Sequence, residues 1–200
     1  MRIIFATGNK GKLREINDIL KDLNIPIVSL KDAGITSEPE ETGVTFEENA
    51  VIKAKYAADM LKCEDAIFMA DDSGLEVDAL GGEPGVYSAR YMGEDTPYSI
   101  KNKNIIDRLD GIENDKRTAR FVCAIAAVLP DGRTIATRGT IEGKIGYEER
   151  GENGFGYDPI FYLPDMSLST AELSPDEKNK ISHRGKALEA MKNKLKEIYK

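Results

Sequence analysis

An apolar run, Ala66-Ile67-Phe68-Met69-Ala70, stops abruptly at two adjacent carboxylates, Asp71 and Asp72, followed by Ser73 and Gly74. A short continuous run of this kind reads as a buried strand, and Gly74 permits a sharp change of direction after it. The acids are therefore expected at the carboxyl edge of a sheet, where open α/β sheets place their ligands. Two carboxylates there suit a metal ion. The same residues also make an ordinary acidic turn, because Asp and Ser are common turn formers, so the rest of the chain has to decide.

Ile3 to Ala6 reads as a first strand, Thr7 to Lys12 as a turn, and Leu13, Ile16, Leu20 and Leu23 as one face of a helix. Ile25 to Leu30 follows as a second strand. Thr45 with Glu48 three residues later makes a capping box for a helix running to about Leu61. Beyond the Asp71-Asp72 strand, Thr96-Pro97 starts a helix through Leu109. Arg120 to Leu129 and Thr134 to Thr140 form a hairpin turned at Pro130-Asp131-Gly132-Arg133, with a further strand from Ile141. Ser174-Pro175-Asp176-Glu177 has the order of a helix start, and an amphipathic tail closes the chain. Helices and strands alternate first and a hairpin section follows, which predicts an α/β fold with a mixed sheet, organised as one domain over residues 1–200.

With 40% hydrophobic and 32% charged residues, the chain matches a globular protein, and no apolar run approaches the ~20 residues needed to cross a bilayer. The short apolar N-terminus runs directly into the first strand, so the expected compartment is the cytoplasm. A net charge of −7 argues against broad nucleic-acid binding. The basic tail carries Leu188, Met191, Leu195 and Ile198 at helical spacing, which reads as a helix with a solvated basic face. Cys63 and Cys123 are far apart and read as small apolar residues, and a single histidine, His183, rules out a His-rich metal site.

Four further segments carry chemistry. Thr7-Gly8-Asn9-Lys10-Gly11-Lys12 lies at a helix N-terminus, where free N–H groups and the helix dipole favour an anion, though the spacing is not that of a P-loop. Glu40-Glu41 adds a second acid pair, and with Asp71-Asp72 it supplies the one or two carboxylates that Mg²⁺ takes from protein. Asn49 and Lys53 share a helical face, from which Lys53 can reach a phosphate. Gly154-Phe155-Gly156-Tyr157-Asp158-Pro159 holds two aromatics on a glycine loop, a surface on which a nucleobase stacks. Ser182-His183-Arg184-Gly185 puts an imidazole and a guanidinium at a helix start.

In this order, Thr7-Gly8-Asn9 with Lys12, Glu40-Glu41-Thr42-Gly43, Ala70-Asp71-Asp72-Ser73-Gly74, the Gly154–Pro159 loop and Ser182-His183-Arg184-Gly185 resemble the inosine triphosphate pyrophosphatase family, also called the Ham1 family. The resemblance spans nearly the whole chain. It implies a Mg²⁺-dependent hydrolase that converts ITP, dITP and XTP to the monophosphate and pyrophosphate. The implied fold is a long, twisted mixed sheet flanked by helices, two lobes with an active-site cleft between them, usually in a homodimer. By position, Asp72 matches the general base and metal ligand, Glu40 the second metal-associated carboxylate, and Ser73 a substrate contact. Thr7, Gly8, Asn9, Lys10, Gly11 and Lys12 match the triphosphate loop. Phe155, Gly156, Tyr157, Asp158, Lys178, His183 and Arg184 match the purine-recognition positions. Asp71 and Glu41 can exchange roles with their neighbours. A related house-cleaning enzyme for other modified nucleotides and a non-catalytic nucleotide sensor are the alternatives.

Overall fold

The computed structural model describes residues 1–163 and 167–199, with no side chain described at Lys10. β1 (Arg2–Ala6) leads into α1 (Lys10–Leu20), and β2 (Ile27–Ser29) pairs with β1 in parallel. α2 (Phe46–Leu61) then delivers the chain to β3 (Ala66–Val77), which lies parallel on the other edge of β1 with Arg2 opposite Ala66 and Ala6 opposite Ala70. After α3 (Tyr98–Arg108) come β4 (Thr118–Val128), β5 (Thr134–Ile145), β6 (Phe161–Leu163) and β7 (Leu168–Ser169), then α4 (Pro175–Ile181) and α5 (His183–Ile198). The sheet order is β2-β1-β3-β4-β5-β6-β7, and β6 is antiparallel to both β5 and β7. The fold is α/β with a mixed sheet, as the alternation of elements predicts. None of its helices, among the described residues, is long and apolar enough to cross a membrane.

Several boundaries differ from expectation. β3 does not stop at Ala70: it continues through Asp71, Asp72, Ser73 and Gly74 to Val77. The alternation of buried and less buried positions from Leu75 onward is itself a strand pattern, and Gly74 keeps an ordinary backbone rather than a left-handed turn. The acids therefore sit within a strand, not in a turn. The strand expected from Ile141 is the second half of β5. The basic tail is two helices, the second starting at His183 as the Ser182-His183-Arg184-Gly185 segment predicts, after an extended backbone at Ser182. Its basic face is not uniformly solvated either, since Arg184 is buried.

The chain forms two compact units, one of residues 1–72, 123–139 and 183–200, the other of 73–122 and 140–182. In the first, Ile3, Phe5, Ile67, Met69, Cys123 and Ile125 pack with Ile16 and Leu20 of α1 and with Leu188, Met191 and Leu195 of α5. In the second, Leu75, Val77, Phe121, Ile141, Ile145 and Phe161 pack with Ile105 and Leu109 of α3.

Candidate active site

The first unit places its chemistry around Asp71 and Asp72. Successive side chains of a strand leave on opposite faces, so the two carboxylates meet different partners. Asp71 follows Ile67 and Met69 toward α1 and α5. There Oδ2 pairs with Lys12 Nζ at 2.8 Å, and Arg184 Nε lies 3.6 Å away. Burial alone would raise its carboxyl, but the charges of Lys12, Arg184 and Lys53 win and hold it well below the usual carboxylate range. Arg184, itself buried, also pairs with Glu15 of α1. Burial opposes its charge, yet Asp71 and Glu15 push its proton affinity up further.

Asp72 faces α2. Lys53 Nζ lies 3.1 Å from its Oδ1 and 2.9 Å from Glu41 Oε1, so one ammonium bridges two acids. Asn49 Nδ2 donates to Asp72 Oδ2 at 3.3 Å while its Oδ1 accepts from Gly43 N at 2.8 Å, which fixes the amide's orientation. A Cβ at Gly43 would lie 2.6 Å from that oxygen, so the loop reaches α2 only as glycine. Burial pushes the Asp72 carboxyl above its ordinary value against the pull of Lys53, and Glu41 pushes the same way. A buried carboxylate of raised basicity, with both oxygens oriented, is suited to accept a proton. Lys53 keeps its proton, because Asp72, Asp71 and Glu41 outweigh its burial.

The Thr7 to Lys12 segment is a turn into the start of α1, as expected, and Asn9 is the N-cap. Asn9 Oδ1 accepts from Gly11 N at 2.8 Å and Lys12 N at 3.1 Å, and Thr7 Oγ1 accepts from Asn9 N. Gly8 and Asn9 are exposed, while the Lys10 side chain lies outside the described residues. Ser73, next along β3, is half-buried.

The second unit builds the glycine loop. Asp158 is 2% exposed and acts as its hub: Oδ2 accepts from Phe155 N at 2.8 Å and Lys178 Nζ at 2.6 Å, and Oδ1 accepts from Thr170 Oγ1 at 2.9 Å. A Cβ on Gly154 would lie 2.2 Å from Asp158 Oδ2, and Gly154 and Gly156 hold φ of 76° and 69°. Lys178 also lies over the Phe155 ring, 4.9 Å from its centroid. Phe155 is half-buried, whereas Tyr157 is buried and its hydroxyl donates to the Ser88 carbonyl at 2.7 Å. Tyr157 thus anchors the loop. His183 is buried beside Arg184 at the start of α5 in the first unit.

Glu40 is exposed and makes no hydrogen bond or ion pair among the described residues, while Glu41 joins the Asp72 cluster. Glu15 escaped the sequence reading, although its position three residues after Lys12 puts both on one face of α1. Thr170 carried no local signal at all.

Among the described residues no three His, Cys, Asp or Glu side chains form a ready-made metal cage. Asp72 and Glu41 nevertheless put two carboxylates on Lys53, and Glu40, the neighbour of Glu41, is exposed. Carboxylates in that number fit Mg²⁺, which takes one or two of them from protein.

The Ham1 family model matches residues 3–194. Proteins named dITP/XTP pyrophosphatase are similar over nearly the whole chain. That of Exiguobacterium sibiricum is 49% identical over 98% of this chain and 97% of its own, and that of Bacillus subtilis 49% identical over 96% of each. Among solved structures, a HAM1 protein from Coxiella burnetii superposes with a TM-score of 0.88 at 41% identity, covering 98% of this chain and 99% of its own. The Staphylococcus aureus Ham1 protein gives 0.86 at 40% identity, with 98% of each chain covered. Matched from β1 to α5 in sequence and in fold, the chain belongs to the Ham1 family.

Proposed function

We propose that this protein is a nucleoside triphosphate pyrophosphatase that hydrolyses non-standard purine nucleotides, ITP, dITP and XTP, to the monophosphate and pyrophosphate. The observation that carries the reading is Asp72, a buried carboxylate whose two oxygens are held by Lys53 and Asn49 beside Glu41.

In the reaction a water oxygen bonds to the α-phosphorus, the bond from that phosphorus to the α,β-bridging oxygen breaks, and pyrophosphate leaves with the bond's electrons. Asp72 takes the water's proton, a general-base contribution worth about 10²–10⁴-fold. Asp72 and Glu40, or its neighbour Glu41, would hold Mg²⁺, which would neutralise charge developing on the phosphate oxygens. Lys12, Lys53 and the positive end of the α1 dipole supply fixed positive charge for the polyphosphate. Hypoxanthine and xanthine carry a 6-carbonyl acceptor where adenine carries an amine donor, so the donors Arg184, His183 and Lys178 favour the former. Phe155 offers the stacking face.

The same reading brings a homodimer and a cytoplasmic location. Sedimentation at micromolar concentration tests the first.

The deciding experiment is a panel of ITP, XTP, dITP, GTP and ATP with Mg²⁺, scored for both products. The expected result is monophosphate plus pyrophosphate, with kcat/KM for ITP and XTP well above that for ATP. Orthophosphate as the sole released phosphate, or no preference over ATP, sinks the proposal. Binding without turnover identifies a sensor instead.

A further inference from the structure

The second unit contains a buried amide that the proposed chemistry does not use. Asn102, on α3, is 1% exposed, and its Nδ2 donates to Glu149 Oε1 at 2.7 Å and to the Gly156 carbonyl at 3.3 Å. Both partners are acceptors, so the NH₂ end must face them. The other end, Oδ1, is buried with no hydrogen-bond partner among the described residues. An unpaired buried acceptor is a stability cost that an apolar side chain of similar size would not incur. The donor end is therefore what asparagine contributes at this position, and it reaches the loop that carries Phe155.

The surrounding contacts point the same way. Tyr98, one turn before Asn102, places ring atoms 3.6 Å from where a Gly156 Cβ would stand, and meets the Tyr157 ring edge-on with centroids 5.2 Å apart. Lys101, also 1% exposed, donates to the Ala89 carbonyl at 2.7 Å and lies over the Tyr98 ring. Ser88 Oγ accepts from Leu75 N at 2.9 Å, and the Ser88 carbonyl takes the Tyr157 hydroxyl. The first turn of α3 thus grips the glycine loop at Gly156 and the 85–89 segment at Ala89. Phe155 is held on its N-terminal side by Asp158, through its own N–H, and on its C-terminal side by Asn102 at the next carbonyl.

We infer that Asn102 is a positioning residue for purine recognition: its amide, bonded to the Gly156 carbonyl, sets the angle at which the Phe155 ring meets the base. The inference rests on the function proposed above. It places the effect in substrate affinity rather than in the chemical step, because Asn102 touches neither the acid cluster nor the phosphate turn.

Three variants test it: Asn102→Ala, the shape-conserving Asn102→Asp, and Asn102→Asp combined with Glu149→Gln. The double variant rebuilds a hydrogen bond between positions 102 and 149, now donated by the amide introduced at 149, but leaves the Gly156 carbonyl without its donor. Both single variants are expected to raise KM for dITP and XTP about tenfold, the size of one hydrogen bond lost, with kcat changed less than about twofold. Amide hydrogen exchange over residues 154–157 is expected to accelerate without substrate. The double variant is expected to keep the raised KM. Recovery of KM in the double variant, a fall in kcat without a change in KM, or unchanged exchange in that loop in Asn102→Asp each overturns the inference. If the unmodified enzyme hydrolyses none of these nucleotides, the functional reading fails, while the exchange measurement, which needs no substrate, still decides whether Asn102 holds the loop.

Discussion

Asp71 and Asp72 are neighbours with opposite electrostatic duties. The pleat sends Asp71 to Lys12 and Arg184 and Asp72 to Lys53 and Asn49. The Asp71 carboxyl is depressed in the folded state, so the stability it contributes is fully present above its unfolded value, about 3.9, and is lost as pH falls below that. Asp71→Asn is expected to cost roughly 3–5 kcal/mol near neutrality, because it leaves buried positive charge uncompensated, and to flatten the loss of stability below about pH 4. Denaturant unfolding at pH 7 and pH 3 reads both effects. Asp72 is raised by burial, so Asp72→Asn is expected to leave the melting temperature near or above the original while kcat falls by about 10²–10⁴. A folded Asp72→Asn enzyme with near-normal turnover would remove it as the base. The cysteines divide similarly. Burial pushes the Cys123 thiol up to about 12, while Cys63 is half-buried near the surface. Because the thiolate is the reactive form, maleimide at pH 8 is expected to modify Cys63 alone in the native protein and both thiols in denaturant, as mass spectrometry would count.

At the scale of elements, several close fits depend on a missing side chain. A Cβ on Gly139 of β5 would lie 2.2 Å from the His183 carbonyl oxygen and 2.6 Å from Ala187 N, both backbone atoms of α5 that no rotamer change can move. Gly139→Ala is expected to cost about 1–3 kcal/mol or more and to raise KM by shifting His183 and Arg184. A variant with the original melting temperature would show that α5 can retreat. Local rules explain why much of the architecture was legible. The Thr45–Glu48 capping box and the Ser174–Glu177 start both form where their spacing places them. The acid strand misled because Asp-Asp-Ser-Gly has turn composition, while the apolar register from Leu75 to Val77, set by tertiary packing, carried β3 onward. Of the site, Asp72 and the glycine loop were visible as motifs. Glu41's capture by Lys53, the Glu15–Arg184 pair and the Asn102 bond were not, since each joins residues far apart in sequence whose approach only the folded backbone defines.

At the scale of the whole molecule, the chain passes between its two units within β3, β4 and β5 and again at the start of α5. Neither unit is a contiguous stretch, so neither can be excised by a single cut. The last passage is the most exposed to test, because α5 is the final segment of the first unit and closes its core. Leu188, Met191 and Leu195 are at most 2% exposed there, and burying three such side chains is worth roughly 5–9 kcal/mol. That is comparable to the whole net stability of a typical domain, about 5–15 kcal/mol. α5 also carries Arg184, whose loss would leave Asp71 buried with less opposing charge. A chain ending at Ser182 is therefore expected to lose cooperative unfolding in the first unit and all hydrolysis, although Asp72, Lys53, Glu41 and the entire phosphate turn remain in its sequence. Circular dichroism melts with protection of the β1 and β3 amides would check this, and a truncated chain that kept native protection in those strands would show that the first unit's core stands without α5.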